Sequence, residues 1–229
     1  MKNTLLTLLA SLLFLSGFCG EPKYEVHAKD TRPLTKETIS KAKTLADLIP
    51  GYPEHWISSY VSVEISASRD GKLQKATGIN EALTAEQKNI LNTVDVGIIV
   101  VVDVNYKYND LSTLKGEDRQ IHVSMTIVPE TEAEYIGGRE ELNKYLKKNV
   151  LDKISIKAPL KLHGGTVIFT VNEEGDIVNA KLSESSGDPK TDKLFVEGIN
   201  KMPKWKPAQN SKAVKVKQDF IFSLGVGGC

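Results

Sequence analysis

One local pattern occurs twice in this chain, at a constant offset of 104 residues. In each copy a run of alternating apolar and polar residues, 60–67 and 166–171, is followed by a turn that ends in Gly71 or Gly175. A second strand-like run follows each turn. Alternation on both sides of a short glycine-containing turn predicts a β-hairpin. The chain is therefore predicted to contain two related hairpins.

The similarity between the two copies continues beyond the hairpins. Each hairpin is followed by a predicted helix, 84–93 and 188–201, and then by a β-rich run, 96–106 and 214–224. The second copy also has a predicted helix, 139–150, before its hairpin. Two copies of one hairpin-helix-strand unit predict two small domains with a junction at 129–138. The alternative is a chance similarity between two amphipathic hairpins.

The first residues have the profile of a secretory signal. Lys2 precedes an uncharged apolar run, 5–18, whose 14 residues reach about 21 Å as a helix, short of the roughly 30 Å of a bilayer core. Small residues and then charged sequence follow. This profile predicts a cleaved signal peptide at 1–19 and export, and the alternative is a buried N-terminal core helix.

The two cysteines leave the type of signal open. Cys19 directly follows the apolar run, which makes it a lipidation candidate. Phe18 stands where lipoprotein signals usually have a small residue, so ordinary cleavage after Cys19 is favoured. Cys229 would then be the single cysteine of the mature chain, and no internal disulfide is expected.

Between the signal and the first hairpin lies a polar N-terminal segment, 20–56. It contains one predicted amphipathic helix over 34–49, which Thr35 caps and Pro50 ends. The whole chain has 30 basic and 29 acidic residues. A balanced charge gives no reason to expect nucleic acid or an anionic membrane surface as a partner.

No catalytic or metal-binding pattern is found in the sequence. The motifs of serine hydrolases, zinc proteases, nucleotide-binding loops and paired cysteines are missing. His122 lies in an alternating run whose apolar residues are on the opposite face, so we expect it to face solvent. Adjacent Glu173 and Glu174 in a turn point apart and are not expected to form a catalytic pair. The sequence predicts a protein without enzymatic activity, cofactor or metal.

The segment 201–208 (KMPKWKPA) is unusual because a tryptophan lies among prolines and lysines. Together with Gly137-Gly138, the Gly175 hairpin, Asp192 and the closing run 214–224, it resembles the C-terminal domain of the TonB family over residues 134–226. The most specific element of this resemblance is the set Met202, Pro203, Trp205 and Pro207. For Trp205, a place in the core is favoured over a partner-binding surface.

The resemblance implies an α+β fold and a protein partner. We expect two small domains, 57–130 and 131–229, each an antiparallel sheet with helices on one face. In the family, the closing strand binds an extended segment of an outer-membrane receptor by strand addition. Carried over, the expected partner-binding edge is Val214, Lys215, Val216, Lys217, Gln218, Asp219 and Phe220. The alternative is that this edge only completes the sheet or pairs in a homodimer.

The chain departs from the family at its N-terminus. A force-transmitting member keeps a membrane helix and a proline-rich linker, whereas this chain has a signal-like segment and nine scattered prolines. We therefore expect a passive binding module in the periplasm or envelope of a Gram-negative bacterium, attached to a membrane only if Cys19 carries lipid. The alternative is an energy transducer for TonB-dependent transport with a retained N-terminal anchor.

Overall fold

The computed structural model describes residues 23–30, 32–108, 117–154 and 164–225. In these ranges the chain is a mixed α+β protein built from antiparallel sheets and short helices. No helix in the described ranges has the length and apolar character needed to cross a membrane. The predicted signal peptide, Cys19 and Cys229 lie outside the described residues.

The helices and strands occur in a similar order in the two halves of the chain. The first half contains β1 (Lys23–Ala28), β2 (Pro33–Leu34), α1 (Lys36–Lys41), α2 (Leu45–Leu48), a 3-10 turn (Glu54–Trp56), β3 (Ile57–Arg69), β4 (Lys72–Gly78), α3 (Ala85–Thr93) and β5 (Ile99–Tyr108). The second half contains β6 (Glu117–Ile127), β7 (Glu134–Tyr135), α4 (Gly138–Asn149), a 3-10 turn (Leu151–Lys153), β8 (Gly165–Val171), β9 (Ile177–Glu184), α5 (Pro189–Asn200), β10 (Trp205–Lys206), β11 (Ala208–Gln209), β12 (Lys215–Val216) and β13 (Gln218–Gly225).

The strands form two main sheets and two small two-stranded pairs. The first sheet has the order β2-β6-β5-β3-β4 and the second has the order β1-β13-β8-β9. Every pairing within these sheets is antiparallel except the short parallel contact of β2 with β6. The small pairs are β10 with β7 and β11 with β12.

Each sheet has a fourth strand in the same position beside its hairpin. In the first sheet, β5 lies beside the β3–β4 hairpin, and β6, which follows β5 along the chain, lies beside β5. In the second sheet, β13 lies beside the β8–β9 hairpin, and β1, the first strand of the described chain, lies beside β13. The second sheet thus takes its fourth strand from the opposite end of the described chain.

Each sheet packs helices against one of its faces. In the first sheet, alternate residues of β3, β5 and β6 share a buried cluster with Ile39, Leu45 and Leu91 of the three short helices. In the second sheet, alternate residues of β8 and β13 share a separate buried cluster with Leu146 of α4 and Phe195 of α5. This layering follows from strand alternation, which places every second side chain on one face.

The two hairpins correspond in register at the offset of 104. Val63 pairs with Gly78 in the first hairpin, and Val167 pairs with Leu182 in the second. The turns differ, because Asp70 and Gly71 alone connect the first pair, whereas three residues, 173–175, connect the second. A bulge near Asn179, whose φ is +55°, accommodates the resulting shift of one residue.

The single helix predicted over 34–49 is wrong. The structure has two short helices, α1 and α2, separated at Ala42, which adopts an extended conformation. The Asp47 carboxylate accepts hydrogen bonds from the backbone N–H groups of Lys43 and Thr44 at 2.8 and 2.9 Å. Thr44 also forms a β-bridge with Ala82. These contacts use backbone groups that a continuous helix would need, so tertiary pairing overrides the helical periodicity.

Candidate functional site

The tryptophan of the unusual segment lies in the core of the second sheet. Trp205 is 5% exposed, and its ring packs on Tyr135, Phe169 and Phe220 with centroid separations of 5.6, 6.0 and 5.1 Å. Met202 is also buried. The segment therefore covers one end of the apolar face of the sheet, as the sequence analysis favoured.

The same segment fixes the turn of the β8–β9 hairpin. The backbone N–H of Trp205 donates to the carbonyl oxygen of Gly175 at 2.8 Å. A Cβ atom on Gly175 would lie 2.1 Å from the carbonyl oxygen of Trp205, and its φ is +84°. Glycine is required here for both reasons. Two sequence elements that are 30 residues apart thus form one structural unit.

Asp192 anchors the loop before α5. Its carboxylate accepts hydrogen bonds from Ser185 Oγ, Ser186 N and Ser186 Oγ at 2.6–2.7 Å. Partial burial acts to raise the pKa of Asp192, but these hydrogen bonds outweigh it and hold the pKa below its ordinary value. At the start of the helix, Asp188 accepts from the backbone N–H of Thr191 at 3.0 Å. The acidic residue of the family-like motif therefore has a structural role in this chain.

The closing strand predicted over 214–224 is two strands in the structure. Val214 lies outside both and is 56% exposed, while Lys215 and Val216 form β12 and pair with β11. Of the seven residues expected at the binding edge, only Gln218, Asp219 and Phe220 belong to β13. The expectation of one continuous edge is therefore wrong, because the β11–β12 pair takes up its first residues.

The expected free edge of β13 is also occupied. β8 pairs with one side of β13, and β1 pairs with the other from Lys23 opposite Gly225 to Ala28 opposite Phe220. Beyond this ladder, the backbone N–H of Lys29 donates to the carbonyl oxygen of Asp219 at 2.9 Å. The chain itself thus satisfies the backbone groups that a partner strand would use.

β1 was missed in the sequence analysis, which treated residues 20–56 as a polar segment with one helix. The signal that could have found it is the alternation of Tyr24, Val26 and Ala28 with Lys23, Glu25 and His27. The three apolar side chains pack on the buried cluster of the second sheet. Residues 131–229 therefore lack one of the four strands of the second sheet.

Gln218 connects β13 to the segment 129–138, where the junction of the two domains was predicted. It is 6% exposed, and its Oε1 accepts a hydrogen bond from the backbone N–H of Ala133 at 2.7 Å. Thr170 Oγ1 donates to Asp219 Oδ1 at 2.6 Å across the β8–β13 pair. These polar contacts hold the first residues of β13 in place, so this end of the strand has a structural role.

A row of polar side chains on the first sheet contains the serine, histidine and aspartate of a hydrolase triad, but it lies on an exposed sheet face. Ser124 Oγ lies 3.4 Å from His122 Nε2, and His122 Nδ1 lies 2.7 Å from Asp103 Oδ1. The His122 side chain is 61% exposed on the sheet face away from the helices. Acyl transfer needs positioned oxyanion donors and exclusion of water. In the structure these three side chains form a hydrogen-bond network on an open sheet face.

Within the described ranges, no group of three or more histidine, cysteine, aspartate or glutamate residues could hold a metal ion. The candidate site is the β13 strand together with β1, which covers its outer edge. No protein-family model, no curated protein and no solved structure matches this chain. The properties of the candidate site thus rest on its own geometry.

Proposed function

We propose that this chain is an exported, non-catalytic binding module of the Gram-negative envelope, which binds an extended segment of a partner protein by strand addition to β13. The partner class that fits is an outer-membrane receptor, in line with the TonB C-terminal type of domain proposed for 131–229. The two sheets, with their separate buried clusters, are proposed to be two domains.

One observation carries this proposal. The outer edge of β13 is completed by β1, which comes from the opposite end of the described chain and pairs over six residues. This edge therefore accepts an antiparallel strand that is not its sequence neighbour, and a partner segment would take the place of β1. Backbone hydrogen bonds make such pairing tolerant of sequence, which suits the capture of a partner segment.

Cross-linking in the native envelope tests the proposal. A photoreactive residue at Ile221, opposite His27 on the half-exposed outer face of the second sheet, is expected to capture a different envelope protein. The matched control is the same residue at Leu73 on β4, which is 62% exposed and belongs to the first sheet. Equal products from both positions would contradict binding at β13. Products that contain only this chain would identify a homodimer.

The mass of the mature protein separates the passive module from an energy transducer. The signal profile predicts a chain that begins at acylated Cys19 or at Gly20. Intact-mass measurement on protein from the native envelope should show one of these two species. Retention of residues 1–18 would instead support the anchored transducer.

A further inference from the structure

The two neighbours of β13 contribute very differently to the core. On one side, Val167, Phe169 and Val171 of β8 are completely buried. On the other side, none of the six residues of β1 is fully buried, and exposed residues alternate with half-buried ones. β1 is therefore the less buried of the two neighbours of β13. Its local detachment has a lower free-energy cost than detachment of β8.

The attachments of β1 allow it to leave without unfolding its neighbours. β2 follows shortly after β1 and is held separately on the first sheet, where the backbone N–H of Val128 donates to the carbonyl oxygen of Leu34 at 3.1 Å. Leu34 is 1% exposed and belongs to the buried cluster of the first sheet. If β1 detaches from β13, β2 still anchors the segment.

We infer that β1 is a self-supplied occupant of the partner-binding edge, which a partner segment must replace. This inference rests on the proposed function and adds the partner's chemistry. The partner segment runs antiparallel to β13 and carries an aromatic, a β-branched and a small residue in the places of Tyr24, Val26 and Ala28. The residues between them are polar, because the corresponding side chains of β1 are exposed.

The pairing partners on β13 explain this order of side-chain sizes. Tyr24 lies opposite Leu224, Val26 opposite Phe222, and Ala28 opposite Phe220. The Phe220 ring stacks on Phe169 at 5.6 Å and packs on Trp205. Large rings already fill this end of the apolar face, so the strand beside it needs only a small residue there.

Occupation by β1 lowers the apparent affinity for the partner. Only molecules in which β1 has detached can bind, so the apparent Kd is the intrinsic Kd divided by the detached fraction. A change that loosens β1 raises that fraction, and a covalent lock on β1 reduces it to zero.

A reversible lock tests the inference. Glu25 and Ser223 lie directly opposite each other across the β1–β13 pair, and Thr166 lies opposite Glu184 across the β8–β9 pair, away from β13. Opposed residues in antiparallel strands are close enough for a disulfide. We would introduce E25C with S223C, and T166C with E184C as the matched control, both with C229S. Mass analysis after alkylation confirms each disulfide.

The probe is a labelled peptide with the sequence of residues 23–29, and fluorescence anisotropy measures its binding to the exported protein. Oxidation of E25C/S223C should weaken peptide binding at least about tenfold, and reduction of the same sample should restore it. Oxidation of T166C/E184C, which joins β8 to β9, should leave binding unchanged. Val26→Asp, which weakens β1, should bind the peptide more tightly than the unaltered chain.

The outcomes separate this inference from the proposed function. Equal binding by the oxidised and reduced E25C/S223C protein would overturn the inference, because the peptide would then add elsewhere, for example to the outer edge of β1. Failure of every protein, Val26→Asp included, to bind the peptide would overturn strand addition at β13 itself. A peptide in which serine replaces Tyr24 and Val26 serves as the control for sequence preference, and equal binding of it would contradict the inferred pattern.

Discussion

The two sheets place a fourth strand in the same position but build it differently. In the first sheet, β6 lies beside β5 over ten residue pairs, and its Val123, Met125 and Ile127 are buried. In the second sheet, β1 lies beside β13 over six pairs and has no fully buried residue. The fourth strand is thus long and buried in the first sheet, and short and half-buried in the second.

Chain connectivity adds to this difference. β6 follows β5 in the sequence after only a short connection, 109–116, whereas β1 and β13 are separated by most of the described chain. The entropic cost of closing a loop rises with its length. The pairing of β1 with β13 therefore has a larger entropic cost than the pairing of β6 with β5. A shared topology thus allows the first sheet a permanent fourth strand and, as we propose, the second sheet an exchangeable one.

The largest expected effect tests whether the two sheets have independent cores. Trp205 belongs only to the buried cluster of the second sheet. Trp205→Ala should lower the free energy of unfolding by about 3–5 kcal/mol, since a buried ring is lost and a cavity remains. Denaturant unfolding should show that the part of the transition due to the first sheet is unchanged.

Trp56→Ala is the matched control for this prediction. Trp56 is 48% exposed in the 3-10 turn before β3. Its removal should change the free energy of unfolding by about 0.5 kcal/mol or less. A similar loss of stability from both variants would contradict the separation of the two cores.

Acid sensitivity should also differ between α3 and α5, the helices that follow the two hairpins. The loop before α5 is held by the Asp192 carboxylate. At the start of α3 the acceptor is instead the neutral side-chain amide of Gln87, whose Oε1 accepts a hydrogen bond from the backbone N–H of Thr84 at 2.9 Å. Because the pKa of Asp192 is lowered in the folded state, its contribution is present above the unfolded pKa of about 3.9 and is lost as the pH falls through the folded pKa. Asp192→Asn should cost about 1–3 kcal/mol at neutral pH.

The pH profile distinguishes a lost charge from a general packing defect. The difference in unfolding free energy between the unaltered chain and Asp192→Asn should shrink as the pH falls below about 4. Thermal unfolding at pH 7 and at pH 3 measures it. Gln87→Ala is the control, and its effect should not depend on pH in this range. A constant difference for Asp192→Asn would exclude the carboxylate as the source.

The two fourth strands can be compared with the same substitution. Val123 of β6 is 5% exposed and Val26 of β1 is half-buried, and both face the helices of their sheet. Val123→Ala should lower the free energy of unfolding by about 1.5–2.5 kcal/mol. Val26→Ala should cost less than half of that. Equal costs, measured by denaturant unfolding, would show that β1 is as firmly packed as β6 and would weaken the case for exchange.

Local patterns in the sequence predicted the hairpins and most of the helices. The glycines at the turns and the alternation in β3 and β8 required no tertiary information. The break between α1 and α2 was missed because it depends on the bridge of Thr44 to Ala82. The periodicity of the residues near Thr44 indicates only a helical face. A bridge to a residue almost 40 positions away cannot be predicted from that periodicity.

The candidate site was predicted only in part, for a similar reason. The closing run predicted over 214–224 includes most of the last strand, and Gln218 to Phe220 belong to that strand. Whether its edge is open depends on which other strand lies beside it. The strand that lies there is formed by six residues, 23–28, at the opposite end of the described chain. Strand order is a property of long-range packing, and one sequence alone leaves it open.

The smallest expected effect concerns the charges beside the two fourth strands. Glu25 Oε1 of β1 lies 3.7 Å from Arg139 Nη2 of α4, and Asp118 of β6 forms an ion pair with Lys107 of β5. All four side chains are more than 40% exposed, so water and salt screen both pairs strongly.

Arg139→Ala and Asp118→Asn should therefore both leave the unfolding midpoint unchanged within error, at low and at high salt. Hydrogen exchange of the β13 amides should also be the same in Arg139→Ala as in the unaltered chain. This follows because backbone bonds and half-buried apolar side chains, not the ion pair, hold β1 in place. Faster exchange in Arg139→Ala alone would show that charge controls the detachment of β1. The inferred partner would then need an acidic residue in the place of Glu25.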